Sequence, residues 1–199
     1  MYDWHKYTPE QQRQILSERK RRHYPWHSPP HFNFKHQLYH LIASCYYHQP
    51  FIGYSMERLT SFSSSLHDFF KTEQVKVYAW CVLPNHYHTL IRCENFTFLS
   101  KELGKLHGRT AYAWNGEENQ RGRKVFNHCS DRAIRSERHF WVTINYIHHN
   151  PVHHKTTKNW KHWPFSSLHE FIDKLGYEKV KQIWKDYPLL DYGKGWDEF

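Results

Sequence analysis

At 199 residues the chain is long enough for one well-packed domain and too short for two of ordinary size. Its 28 basic residues against 19 acidic ones leave a formal charge of +9 and a pI near 9.3, a balance that suits a polyanionic partner such as nucleic acid. No apolar run is long enough to cross a bilayer, and the start Met1-Tyr-Asp-Trp-His-Lys6 is polar rather than signal-like. The four cysteines, at 45, 81, 93 and 129, form no Cys-x-x-Cys pair. These features argue against a membrane protein, a disulfide-stapled secreted domain and a zinc ribbon. The cysteines read instead as small apolar fillers in a reducing cytosol, so the expected location is cytoplasmic.

Residues 1–34 read as a basic N-terminal extension. Thr8-Pro-Glu-Gln11 can start a short helix through about Arg19. Arg19–His23 is a basic run suited to a solvated face or to gripping DNA, and Pro25, Pro29 and Pro30 stiffen the link that follows. Leu38–Tyr47 predicts a first strand. Ser55–Glu73 predicts a helix with Met56, Leu59, Phe62, Leu66, Phe69 and Phe70 at core spacing. Val75–Cys93 predicts a β-hairpin about Pro84-Asn85, two β-rich runs either side of a turn pair. A helix over about Leu99–Ala113 follows, then a polar loop, Asn115–Lys124, that ends basic, and a strand over Val125–Arg132. Ser136 is an N-cap for a helix that Pro151 should end about a residue early. Shorter helices fit Ser167–Leu175 and Tyr177–Asp186, and Tyr187–Phe199 reads as coil. Strand–helix–strand–strand–helix–strand–helix predicts an α+β fold, a ferredoxin-like antiparallel sheet with helices packed on it. The expected organisation is one domain over residues 35–158, with residues 159–199 packed on it as C-terminal helices and tail. Aromatic residues, 18% of the chain, are mostly expected in the core.

The hairpin carries the first chemical signal. Side chains alternate along a strand, so His86 and His88 share one face and Tyr87 takes the other. Two imidazoles so spaced make a ready pair of metal ligands, although two polar residues on a half-exposed strand would read the same. On the helix after Ser136, Val142, Tyr146 and Asn150 fall at i, i+4, i+8 with His149 beside them, while Phe140, Ile144 and Ile147 look like core. Taken alone, Tyr146 could be an interface tyrosine and Asn150 a helix-terminal residue before proline. His148, His149, His153 and His154 are expected at the surface or against a DNA backbone, not around a second metal.

Together, Leu83-Pro-Asn-His-Tyr-His-Thr-Leu-Ile91 and Tyr146-Ile-His-His-Asn-Pro-Val152 resemble the single-tyrosine HUH transposases. The resemblance is close to their REP-associated branch, which Trp163-Pro-Phe-Ser-Ser167 and Asp191-Tyr-Gly-Lys-Gly-Trp-Asp197 also fit. It runs from about Tyr24 to the C-terminus. Tyr87, where the family usually has an aliphatic residue, is a departure that should not matter on the face away from the metal. The resemblance implies the HUH transposase fold. It further implies that His86, His88 and Asn150 hold Mg²⁺ or Mn²⁺ and that Tyr146 attacks the scissile phosphate to leave a 5′-phosphotyrosine. The implied substrate is single-stranded DNA bearing REP-like hairpins, in a bacterial cytoplasm, with no nucleotide cofactor and a monomer rather than a dimer. Lys105, Arg109, Arg121, Arg123, Lys124, Arg132, Arg135 and His149 are candidate DNA contacts. Two other readings stand beside it. One is a non-catalytic single-stranded nucleic-acid-binding module on the same fold. The other is a replication-initiator nuclease, which usually comes in a larger chain.

Overall fold

The structure, a computed structural model, describes residues 8–21, 37–73 and 75–196. It divides into two units, Met1–Lys35 with Gly193–Phe199, and His36–Tyr192. In the first, helix α1 spans Pro9–Arg21. Thr8 starts it with a reciprocal cap: its hydroxyl accepts from Gln11 N at 3.2 Å while its own N–H donates to Gln11 Oε1 at 2.9 Å. Arg22 and His23 of the basic run, the proline link and residues 197–199 lie outside the described residues.

The second unit is built on a four-stranded antiparallel sheet, β1 (Leu38–Ser44), β2 (Lys76–Val82), β3 (His86–Arg92) and β4 (Ser130–Ala133), in the order β2-β3-β1-β4. With α2 (Met56–Thr72) after β1, α3 (Phe96–Glu117) after β3 and α4 (Glu137–His153) after β4, this is the expected ferredoxin-like α+β arrangement. Helices α5 (Leu168–Leu175) and α6 (Tyr177–Asp186) follow. Among the described residues no helix is long and apolar enough to cross a membrane.

The elements differ from expectation in four places. Strand β1 stops at Ser44 rather than Tyr47, because the chain turns there and Tyr47 and His48 take left-handed backbone angles (φ 49° and 54°). Strand β4 is four residues long. Val125 and Phe126 are buried, but only a single bridge, Cys45 with Phe126, joins that stretch to the sheet. The Asn127 amide reinforces that bridge, donating to Ser44 Oγ and to the Cys45 carbonyl, both at 3.1 Å. Helix α3 runs from Phe96 to Glu117, longer at both ends. The Asn95 side chain caps it, accepting from Phe98 N at 3.0 Å, and the buried Arg58 guanidinium holds Glu117 and Glu118 at 2.7 Å each. Helix α4 continues through Pro151 to His153. A proline there forfeits one rung of the helix. The turn nevertheless closes, because His154 N donates to Asn150 O at 3.0 Å and Thr156 N to Pro151 O at 2.9 Å.

Both sheet faces are covered. Tyr39, Leu41, Ala43, Tyr87 and Ile91 belong to one face, where they join the core with Phe62, Leu66, Leu103 and Trp114 of α2 and α3. The register places Ser44 opposite His86, Ile42 opposite His88 and His40 opposite Leu90, so these six share the other face, which α4 covers. All four cysteines are free thiols, Cys45 and Cys81 buried and Cys93 and Cys129 half-buried.

Candidate active site

Strand β3 presents His86 and His88 to α4, and both are buried. Their rings stand edge to face, 5.0 Å between centroids. From α4, Asn150 brings its Oδ1 to 3.1 Å from His86 Nε2. One turn earlier, Tyr146 sets its ring edge-on to His88 at 5.4 Å. The i, i+4 spacing thus delivers tyrosine and amide to the same histidine pair, and both are fully or almost fully buried (3% and 0% exposed). Tyr87 points away: its hydroxyl bonds His107 Nε2 at 3.0 Å on the α2/α3 side.

The donor set fits a divalent cation. Two imidazoles and an amide oxygen converge, and Asn150 Nδ2 has no hydrogen-bond partner among the described residues. Among the described residues no group of three or more His, Cys, Asp and Glu side chains is arranged around one point, so the set is two imidazoles and a neutral amide. Such a set leaves positions for water and phosphate oxygens, as hard divalent ions require.

Three neighbours of the site were not legible in the sequence. His40 on β1 sits between the two halves: its Nε2 lies 3.1 Å from His88 Nδ1, and its ring is edge-on to Tyr146 at 5.9 Å. The only trace of it in the sequence is a polar residue inside an apolar strand. His154 places its ring 4.6 Å from that of His86. Tyr192 packs edge-on against Tyr146 at 5.7 Å and bonds Thr143 Oγ1 at 2.6 Å. Thr143 donates its own hydroxyl proton to His139 O, so Tyr192 is the donor in that pair.

The histidine run on α4 splits. His148 is not at the surface; it is fully buried, with Nε2 3.0 Å from Ser167 Oγ and its ring against Phe171, and burial pushes its pKa down to about 3. The face of α4 that should meet solvent is covered by the α5 segment. His149 is half-buried against Trp184, its Nδ1 bonded to Asn145 O at 2.8 Å.

The basic candidates are spread over the molecule. Arg132 pairs across the sheet with His40 and so belongs to the site face. Arg135 is exposed beside α4, its backbone N–H donating to His139 Nδ1 at 3.2 Å. Lys105 and Arg109 are exposed on α3, the helix that packs on the opposite face, and Lys105 is paired with Glu102 at 2.7 Å. Arg121 lies over the Tyr112 ring at 4.1 Å, and Lys124 over Tyr46 at 4.6 Å. Arg123 is tied to Glu118 at 2.9 Å, and that carboxylate is held at a pKa of about 2 by the hydrogen bond from Arg123, with Arg58 adding to it.

Residues 33–150 match the family described as "Transposase IS200 like". Among solved structures, the REP-associated tyrosine transposase bound to a REP hairpin superposes with a TM-score of 0.60 at 17% identity, over 75% of this chain and 87% of that one. A Deinococcus radiodurans protein provisionally described as a transposase aligns with a TM-score of 0.41 at 17% identity, over 60% of this chain and 95% of that one. No curated protein matches the sequence. At that identity the superposition on the REP-associated enzyme speaks for the fold, and it is the fold built here from strand order and register. The match over residues 33–150 spans more than half the sequence and contains the histidine pair, Tyr146 and Asn150: the chain belongs to the IS200-like transposases.

Proposed function

We propose that this transposase cuts and rejoins single-stranded DNA through a 5′-phosphotyrosine on Tyr146, acting at hairpins of the REP type. The observation that carries the reading is the convergence of His86, His88 and Asn150 beside the Tyr146 ring on one buried sheet face. A phenol has an ordinary pKa of about 10, so at neutral pH its attack needs a site that favours the charge it develops. His86, His88 and Asn150 are the residues that would hold Mg²⁺ or Mn²⁺. When bound, such an ion polarises the phosphate and offsets charge developing on its oxygens. Tyr146 supplies the nucleophile: its Oη–P bond forms as the P–O3′ bond breaks, the phenol proton is lost and the departing 3′ oxygen gains one. The same 3′ hydroxyl can return to the phosphotyrosine and reseal a strand without an external energy source.

The solved neighbour is bound to a REP hairpin, and the basic surface of this chain, with Arg132 on the site face, suits the same kind of ligand. The test is incubation of the full chain with labelled, hairpin-bearing single-stranded DNA and Mn²⁺, followed by a denaturing gel and peptide mapping. An adduct that survives denaturation and maps to Tyr146 is expected, and it should vanish in Tyr146→Phe. An adduct on any other tyrosine removes the assignment; no adduct at all, with hairpin binding intact, makes the protein a binding module.

A further inference from the structure

The turn that precedes the histidine pair is held from outside the hairpin. Asn85 O accepts from Cys45 N at 2.7 Å, and Pro84 O accepts from Gly53 N at 2.9 Å. Gly53 packs so closely that a Cβ there would lie 2.4 Å from Pro84 Cβ, which reserves the position for glycine. The segment between these contacts holds two consecutive left-handed residues, Tyr47 (φ 49°) and His48 (φ 54°). Residues with a Cβ avoid that region, so two in a row persist only where the surroundings impose them. One result of the turn is that the His48 carbonyl faces Asn85 and accepts from its Nδ2 at 3.2 Å.

That contact orients the amide. With Nδ2 committed to His48 O, Asn85 Oδ1 is the atom 2.7 Å from His86 Nδ1. An amide oxygen only accepts, so the neutral ring carries its proton on Nδ1 and its lone pair on Nε2. Nε2 then faces Asn150 Oδ1, another acceptor, at 3.1 Å. In that arrangement both atoms offer a lone pair, so one cation can take the two of them as ligands. The neighbouring His88 instead has another ring nitrogen beside its Nδ1, His40 Nε2 at 3.1 Å.

We propose that Asn85 is a positioning residue, clamped by the His48 carbonyl, that fixes His86 as its Nδ1–H tautomer and so presents the Nε2 lone pair for metal binding beside Asn150. The inference rests on the metal-holding role given to His86 above, but its central readout does not need metal. A ligating histidine commonly donates its other ring N–H to such an acceptor, and loss of the acceptor costs about 10–100-fold in metal affinity or activity.

The test uses the full chain labelled with ¹⁵N-histidine. Long-range ¹H–¹⁵N spectra in chelator, with the His86 signals assigned through His86→Gln, read the tautomer; titration with Mn²⁺ followed by electron paramagnetic resonance reads affinity. Wild-type His86 should be the Nδ1–H form. Asn85→Leu should lose that preference and bind Mn²⁺ about 10–100-fold more weakly. Asn85→Asp, which keeps an acceptor in place, should recover both, and hairpin binding in chelator should not change. An Nε2–H tautomer in the wild type overturns the proposal, as does Asn85→Leu with wild-type tautomer and Mn²⁺ affinity. If the wild type binds no Mn²⁺, the metal reading fails, while the tautomer in wild type and Asn85→Leu still decides the role of Asn85. Should Asn85→Leu not fold, the wild-type tautomer and Asn85→Ala carry the same decision.

Discussion

The two faces of the central sheet are equally buried and differently built. On the α2/α3 face Tyr87, Phe62, Leu66, Leu103 and Trp114 form an apolar core, and the histidine buried against it is His107. His107 stacks on Phe126 at 4.3 Å and bonds the Tyr87 hydroxyl, and burial lowers its pKa to about 4, so it stays neutral. On the α4 face His40, His86, His88, Tyr146 and Asn150 gather polar atoms at equal depth. Burying polar groups costs stability unless they are paired, so a face assembled this way is kept for what it does rather than for what it contributes to folding. Adjacent residues of β3 face opposite ways: Tyr87 closes a core, and His86 and His88 meet Asn150 and Tyr146.

That contrast can be broken in order of effect. The largest belongs to His88→Ala. Cleavage of hairpin DNA should fall below detection while the affinity for that DNA in chelator stays within about twofold, since the proposed phosphate contacts are made by basic side chains elsewhere. Undiminished cleavage would remove His88 from the reaction. On the other face, Phe62→Ala should cost about 3–5 kcal/mol of stability, as truncation of a buried aromatic does. Phe62 packs against Tyr87, Trp114 and Phe126, and the loss is readable as a lowered urea midpoint. The remaining folded protein should still cleave at the wild-type rate; a loss of cleavage exceeding the loss of folded protein would mean that the two faces are coupled.

The smallest effect concerns pH. The folded-state pKa of His107, about 4, lies below the ordinary value of about 6.5, because burial penalises its charged form. The unfolded chain therefore takes up the proton first as pH falls. The stability that His107 contributes is complete above about pH 6.5 and is lost progressively down to about pH 4, roughly 3 kcal/mol across the window. Urea unfolding at pH 7 and pH 5 should show the slope, and His107→Gln should flatten it; an unchanged slope would place the acid sensitivity elsewhere, with buried His148 the next group to replace.

Much of this molecule is written locally. Alternation along a strand settles that His86 and His88 share a face, and the 3.6-residue period settles that Tyr146 and Asn150 do, because both follow from the geometry of one element. Ser136 is the cap its position predicts. Other outcomes escape these periodicities. Pro151 should have ended α4, yet the turn beyond it closes on its own hydrogen bonds. His148 reads as a surface histidine until the α5 segment covers it, and the buried ring then needs Ser167. His40 is 48 positions from His88 and joins it only through strand pairing, and Asn85 reaches His48 across 37 positions. The sequence by itself determined the histidine pair, the tyrosine–amide pair and the order of elements. Only the tertiary structure decided that the two pairs meet, which residues stand behind them and which histidines are structural, since those outcomes depend on contacts between segments whose separation no local periodicity encodes.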